Sequence, residues 1–326
     1  MRAMLLAAGQ GSRMAPLTPR RPKPTLPLLD QPLLLRLVRS LAEQGVESVV
    51  VNAHTNAELL SECLRSAPIP VELSHEPVLR GSGGGILQAR SYLERSSPFL
   101  VLNADMAIEL DLDELLRAHA QGGALATLLL RDDPRNQQFG TIGYAENGGV
   151  CRITDWIDRG SEVGCGLFTG VHVMEPTIFE HLPERQAFGI VRDVYGPWLR
   201  ERVPIATCLQ SPRAAWWPIG CPAELLDANL LALAQLLEAR GAAPDAVLAA
   251  KDARLEGELR GPAWVGEGAH IAPDACVGPW VVIGAGAQVQ PGTRLERCLL
   301  LPDARPPSVA TLERAIGFGE EVWVDA

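Results

Sequence analysis

Apolar positions over the first 130 residues alternate between two spacings. Short apolar runs closed by small or polar residues read as strands buried in a parallel sheet: AMLLAAG at 3–9, ESVVVNAH at 47–54, VELSHE at 71–76, PFLVLNAD at 98–105 and ALATLLLRD at 124–132. Between them, apolar residues three and four apart predict helices in PLLLRLVRSLAEQG at 32–45, NAELLSECLRSA at 56–67, GGILQARSYLE at 84–94 and LDELLRAHAQGG at 112–123. Strand and helix in strict turn predict a Rossmann-like, doubly wound α/β sheet. From about 140 to 220 the pattern is strand-like with few helices, which predicts an insertion covering the open end of the sheet. The stretch PAELLDANLLALAQLLEARG, 222–241, then reads as a long amphipathic helix that closes the domain.

The C-terminal rhythm is different. Aliphatic residues recur every six positions at Leu259, Val265, Ile271, Val277, Ile283, Val289, Leu295 and Leu301, and a second register runs through Ala263, Ala269, Ala275, Val281, Ala287, Thr293 and Leu299. That period predicts a short left-handed parallel β-helix of roughly two and a half coils. The expected organisation is therefore an α/β domain at 1–241, a linker at 242–254, and a β-helix with its tail at 255–326.

Charge and composition narrow the functions. A net charge of -10 argues against wide nucleic-acid or anionic-membrane surfaces, while leaving room for a small cationic pocket. Seven scattered cysteines without CxxC spacing suggest neither a disulfide framework nor a zinc site and fit a reducing, cytoplasmic setting. The apolar run after Arg2 is too short for a signal peptide, and no run approaches a membrane span. Among 29 basic residues only Lys23 and Lys251 are lysine. Lys23 stands between two prolines beside Arg20 and Arg21, where a solvated loop charge is the plain reading. A compact point charge at a site that Arg would not fit is the functional one.

The chemistry-bearing residues cluster at predicted strand ends. LAAGQGSRM places Gly9 and Gly11 directly after the first strand, where backbone amides can meet a phosphate, with Arg13 beside them. Met14 stands where a dinucleotide fingerprint needs its third glycine, and no GK[ST] follows. Asp105 ends the fourth strand and suits Mg²⁺, though an Asp opening a turn is the ordinary alternative. GSGGG at 81–85 opens a helix with a face bare of side chains, against which a flat base could lie. His54 and Trp216–Trp217 have simple structural readings. Glu109, Asp111, Asp113 and Glu114 read as a helix N-terminus, and His270 as a surface residue rather than an acyltransferase base.

Taken together these segments resemble the sugar-1-phosphate nucleotidylyltransferases, whose opening signature L-A-A-G-x-G-[ST]-R-[LM]-x-P-L-T, followed by P-K-P, is nearly unbroken from Leu6 to Pro24. NAD at 103–105 stands for the family's N-G-D, GSGGGI for its Gly-rich base-binding turn, and FTGVHVMEP for its sugar-side segment. The nearest resemblance is to mannose-1-phosphate guanylyltransferases and N-acetylmuramate-1-phosphate uridylyltransferases. The resemblance covers about 1–240, and a hexapeptide tail is a frequent attachment. It implies transfer of a nucleotidyl group from an NTP (GTP or UTP) to a sugar 1-phosphate, with Mg²⁺ as cofactor. Arg13, Lys23 and Asp105 are the catalytic residues it implies. It further implies nucleotide contacts from Leu6, Ala8, Gly9, Gly11, Ser12, Glu76, Gly81, Ser82 and Asn103, and sugar-phosphate contacts from Gly143, Thr169 and Gly170. Glu76 is expected to accept both N1–H and N2–H of guanine, which uracil cannot mimic. Lys23, in a PKP loop, is expected outside the core. One position departs from the pattern: Pro218 replaces the Asp of W-x-D-[IV]-G that supplies a second metal ligand. This opens the alternative of a weakened or regulatory relative that binds sugar nucleotides. A homo-oligomer assembled through the tail is the remaining partner expected.

Overall fold

The computed structural model describes residues 1–18, 21–136, 140–308 and 311–325. Arg20 of the basic stretch thus lies outside the described residues. Two compact units emerge, one of 1–10 with 34–216 and one of 11–33 with 217–326.

The first unit is built on seven strands: β1 (Arg2–Leu6), β2 (Ser48–Ala53), β3 (Val71–His75), β4 (Phe99–Asn103), β5 (Ala126–Arg131), β6 (Gly164–Met174) and β7 (Ile205–Leu209). They lie in the order β7-β5-β6-β4-β1-β2-β3, parallel throughout except β6, which is antiparallel to both neighbours. The predicted strands and helices of the first 130 residues are present. Helices α1 (Leu33–Glu43), α2 (Ala57–Cys63) and α4 (Leu112–Gly122) share one buried face with Ala3, Leu5, Val49, Val51, Leu100 and Leu102. Met4, Val50 and Val101, one residue out of phase, form a second core with Ile86 of α3 (Gly81–Gln88) and Trp198 and Leu199 of α5 (Gly196–Glu201). A strand's side chains alternate between faces, so two cores on adjacent positions require layers on both sides of the sheet. Asp111 caps α4, its side chain accepting from the Glu114 amide at 2.8 Å, which accounts for the acidic run at that point.

The 140–220 segment corrects an expectation. It does not only cover the sheet: β6 runs inside it, between β4 and β5, and β7 extends its edge. The residues from Ile142 to Asp158 form a side sheet, joined to β6 through Gly164–Gly166.

His172 of β6 is 1% exposed and meets the Tyr195 hydroxyl. Burial holds its pKa at about 3 instead of 6.5, and raises that of Tyr195. The folded chain keeps this imidazole neutral, whereas the unfolded chain protonates it below 6.5. Its stabilisation is therefore complete above pH 6.5 and is lost as pH falls from 6.5 toward 3. Between pH 7 and pH 5 that amounts to about 2 kcal/mol. Urea unfolding at the two pH values should show His172→Phe losing about 2 kcal/mol less than the wild type, from a lower starting stability. Equal losses would refute the assignment.

The second unit gathers 11–33 with the C-terminal part, a partition different from the expected 1–241 and 255–326. The link is Asn229 of α6 (Pro222–Ala239), fully buried, whose side chain accepts from the Leu29 amide at 2.7 Å and donates to the Pro27 carbonyl at 3.1 Å. Beyond α6, short parallel strands stack in three ladders. Ala263↔Val281, His270↔Gln288 and Cys276↔Arg294 are each 18 residues apart. Both six-residue registers point inward: Val265, Ile271, Val277 and Ile283 are buried, and so are Ala263, Ala269, Ala275 and Val281. The ladders begin earlier than expected, because Val247–Ala249, inside the stretch read as linker, pairs with Ala263–Val265. One ladder holds five parallel strands, ending at Ala315–Phe318, more rungs than the expected two and a half coils would supply. Glu321–Val324 then folds back antiparallel on that last strand. The His270 side chain meets Glu256 at 3.3 Å on the surface.

Candidate functional site

Within the first unit the predicted residues gather where parallel strands end. Leu6 and Asn103 are register partners on β1 and β4, and the Ala104 amide donates to the Leu6 carbonyl at 3.0 Å. The Ala8–Gly9 backbone and the Asn103–Asp105 turn therefore leave the same edge, the usual place for ligands of an open α/β sheet. Gly9 is exposed and a Cβ there would meet nothing, so the loop presents bare backbone. Asp105 is half-buried.

Thr169 and Gly170 join this edge from β6. The pairing of β6 with β5 shifts register between Phe168 and His172, a bulge that turns the intervening residues out of the ladder. Thr169 donates its hydroxyl to the Leu129 carbonyl at 2.9 Å, and its own carbonyl accepts from the Trp216 indole at 3.3 Å. Gly170 has φ 84 and packs so closely on the Asn103 side chain that a Cβ would collide with it. Asn103, Thr169 and Gly170 are thus one cluster. Gly143 is elsewhere, in the side sheet, flat against the bidentate Arg152–Glu162 pair, whose carboxylate a Cβ would strike.

The Gly-rich turn needs its glycines for a reason the sequence did not show. Phe188 packs its ring on Gly83 and Gln186 its carbonyl on Gly84, while the Phe188 carbonyl accepts from the Gly83 and Gly84 amides at 3.0 and 3.2 Å. Ser82 accepts from the Ile190 amide at 3.0 Å. The bare face expected to receive a base is filled here by residues 186–188 of the same chain.

Glu76 also departs from expectation. It is 0% exposed, and its carboxylate accepts from Asn52 Nδ2 at 2.8 Å and from the Arg80 amide at 3.0 Å. His54, beside it, donates from Nδ1 to the Glu76 carbonyl at 2.7 Å. A carboxylate so engaged is not offered to guanine.

Sequence reading missed two groups here. Asn52, 3% exposed, accepts from the Ala7 amide at 2.6 Å and the Ala8 amide at 3.3 Å. An Asn closing a run of valines was the available signal. The other is Asp133, buried between Arg131 and Arg135, whose guanidiniums hold its carboxyl at about 2. Arg135 in turn lies over the Trp216 ring, 5.0 Å from its centroid.

The remaining predicted residues belong to the second unit. Gly11 has φ 61; its carbonyl accepts from the Thr18 hydroxyl at 2.9 Å, and a Cβ there would sit 3.5 Å from Lys23 Cβ. Lys23 opens a 3-10 turn, Lys23–Thr25, and is only 8% exposed, so the PKP charge is buried, not solvated. Ser12 and Arg13 are exposed at the head of another such turn. The Arg13 guanidinium approaches Gly220, whose amide donates to Glu224. Pro218 ends a short strand, Trp216–Pro218, and brings no ligand atom. Among the described residues no three His, Cys, Asp or Glu side chains gather as a metal cage.

Residues 2–158 match the nucleotidyl transferase family. The catalytic subunit beta of mannose-1-phosphate guanylyltransferase of Danio rerio is 28% identical over 99% of this chain and 88% of its own length. By this match and this relative the chain is similar to the sugar-1-phosphate nucleotidylyltransferases. Among other relatives, UTP–glucose-1-phosphate uridylyltransferase of Synechocystis is 25% identical over 94% of this chain and 85% of its own length. The crystal structure of HddC from Yersinia pseudotuberculosis complexed with GMP-PN shares the fold, with TM-score 0.57, 23% identity, and coverage of 70% of this chain and 97% of that one.

Proposed function

We propose that this enzyme joins an NTP and a sugar 1-phosphate, giving an NDP-sugar and pyrophosphate. The observation that carries the reading is the shared strand edge at which the bare Ala8–Gly9 backbone stands beside Asn103–Asp105. A phosphate oxygen of the sugar 1-phosphate attacks the α-phosphorus, a P–O bond forms, and the bond to the leaving pyrophosphate breaks. The nucleophile is already anionic, so no general base is required. Catalysis rests on positioning and on neutralising charge. The loop amides hold phosphate, Arg13 offers a planar fork, and Lys23 a point charge. Thr169 and Gly170 take the sugar-phosphate side, and Gly81 and Ser82 fix the nucleotide side from the helix start.

A half-buried carboxylate, Asp105, outside any three-residue protein cage, fits a divalent ion completed by triphosphate oxygens and water. When bound, Mg²⁺ supplies electrostatic stabilisation of the transferring phosphate. The guanylyltransferase relatives favour GTP, with UTP the other candidate. A regulatory binder, the reading opened by Pro218, finds no support among relatives named as transferases. The tail ladders are read as a left-handed β-helix and as the assembly surface of a homo-oligomer, which light scattering of the tail-truncated chain would check. No described helix is long and apolar enough to cross a membrane. The scattered free cysteines suit a cytoplasmic setting. The test is pyrophosphate release across four NTPs and a panel of sugar 1-phosphates. Release with at least one pair, dependent on both substrates, is expected; none with any pair would sink the reading.

A further inference from the structure

We infer that Asn52 and Glu76 form a directional hydrogen-bond relay that positions the phosphate loop and the Gly-rich turn together, and that Glu76 does not select the base. The inference rests on the nucleotidyl-transfer reading for its kinetic consequences, though not for its geometry. The chain of bonds is continuous and lies within one unit. The Arg80 amide donates to Glu76 Oε2 at 3.0 Å, Asn52 Nδ2 donates to Glu76 Oε1 at 2.8 Å, and the Ala7 and Ala8 amides donate to Asn52 Oδ1 at 2.6 and 3.3 Å. Residues 7, 52, 76 and 80 come from the ends of β1, β2 and β3 and the approach to α3. Side chains 24 positions apart thereby tie the loop after β1 to the turn before α3. Both side chains are almost wholly shielded from water, at 3% and 0% exposed. Gly85 is part of the device: a Cβ there would stand 2.8 Å from both Asn52 Nδ2 and Glu76 Oε1.

The relay has a polarity. A carboxylate only accepts, so it can serve two donors at once, one on each oxygen. By accepting from Asn52 Nδ2 it leaves Asn52 Oδ1 facing the loop, where two amides need an acceptor. An amide in place of the carboxylate breaks this order. If the glutamine of E76Q serves the Arg80 amide with its oxygen, its NH₂ confronts the NH₂ of Asn52. Turning Asn52 over would then set that NH₂ against the Ala7 and Ala8 amides. Either way a buried donor is left without a partner, which costs far more than a hydrogen bond exchanged with water.

The same logic names its own rescue. In N52D/E76Q the glutamine oxygen accepts from the Arg80 amide and the glutamine NH₂ donates to the new aspartate. The second oxygen of that aspartate accepts from Ala7 and Ala8. Every donor has an acceptor again and the total charge is unchanged. Each single variant has a defect: E76Q lacks an acceptor, and N52D sets two carboxylates against one another.

The experiment compares wild type, E76Q, N52D and N52D/E76Q. E76Q and N52D are each expected to lower kcat/KM for the NTP by roughly 10- to 100-fold, mainly through KM. The double variant should return to within about 3-fold of wild type, a recovery seen only when two residues act through each other. The GTP-to-UTP ratio of kcat/KM should stay within about 2-fold of wild type in E76Q. A double variant no better than the product of the singles, or a ratio shifted roughly tenfold, would overturn the relay. Amide exchange of the ligand-free protein supplies a readout without turnover. Both peptides, 5–10 and 78–86, should exchange faster in each single variant and return to wild-type protection in the double. Loosening confined to 78–86 in E76Q would count against the proposal. If the wild type releases no pyrophosphate, the functional reading fails while exchange still decides the relay. If a single variant does not fold, recovery of folding in the double supports the relay, and failure of both sinks it.

Discussion

Lys23→Met loses at least about 10²- to 10³-fold in kcat, the effect of removing one positive donor from the transferring phosphate, or about 2.7–4 kcal/mol of transition-state stabilisation. Methionine is the right replacement because Lys23 is 8% exposed and packs beside Gly11 and Thr18. An alanine would open a cavity there and confuse loss of charge with loss of packing. Circular dichroism and thermal unfolding should show Lys23→Met folded. Lys23→Arg keeps the charge and is still expected to be poor, since a planar fork is not a point charge. Near-normal rates for Lys23→Met would remove this residue from the reaction. A strong arginine variant would show that charge, not shape, is what the position supplies.

Asp105→Asn is expected to cost a similar loss, roughly 10²- to 10³-fold, and to move the Mg²⁺ dependence to higher concentration. The reason is the sparse ligand set. No group of three ligating side chains forms among the described residues, and Pro218, where the resemblance led one to expect a second metal-binding Asp, has no ligand atom. One carboxylate holds Mg²⁺ weakly. Calorimetry should therefore detect Mg²⁺ binding to the wild type only when nucleotide is present. Tight binding to the free protein would contradict this, and full activity of Asp105→Asn would exclude it as the ligand.

What the sequence made legible was local. A five-residue apolar run such as Ala3–Ala7, or α1 ending before Gly45 with φ 85, is decided by nearest neighbours along the chain. So is the inward set of Val265, Ile271 and Val277, since phase alone determines which side faces the core. The rest depended on partners far apart. Nothing in the apolar pattern of β6 tells that it runs antiparallel between β4 and β5, because a buried strand reads the same in either direction. The glycines at 83 and 84 announce a close approach without saying by what, and Phe188 arrives from about 100 residues further along the chain. Glu76 looked available because most glutamates are exposed. Its burial follows from Asn52, a residue that local reading treated as a strand end.

The antiparallel strand Glu321–Val324 has a consequence for what can add to the last parallel rung of the ladder. A stack of parallel rungs leaves unsatisfied amides and carbonyls on its final strand, an open template onto which another molecule could add indefinitely. Here the last parallel rung, Ala315–Phe318, is paired along its outer side by Glu321–Val324. Arg314 holds the segment that follows, reaching Asp325 at 2.6 Å and Asp227 at 3.3 Å. A further parallel rung from another molecule therefore cannot add directly to Ala315–Phe318.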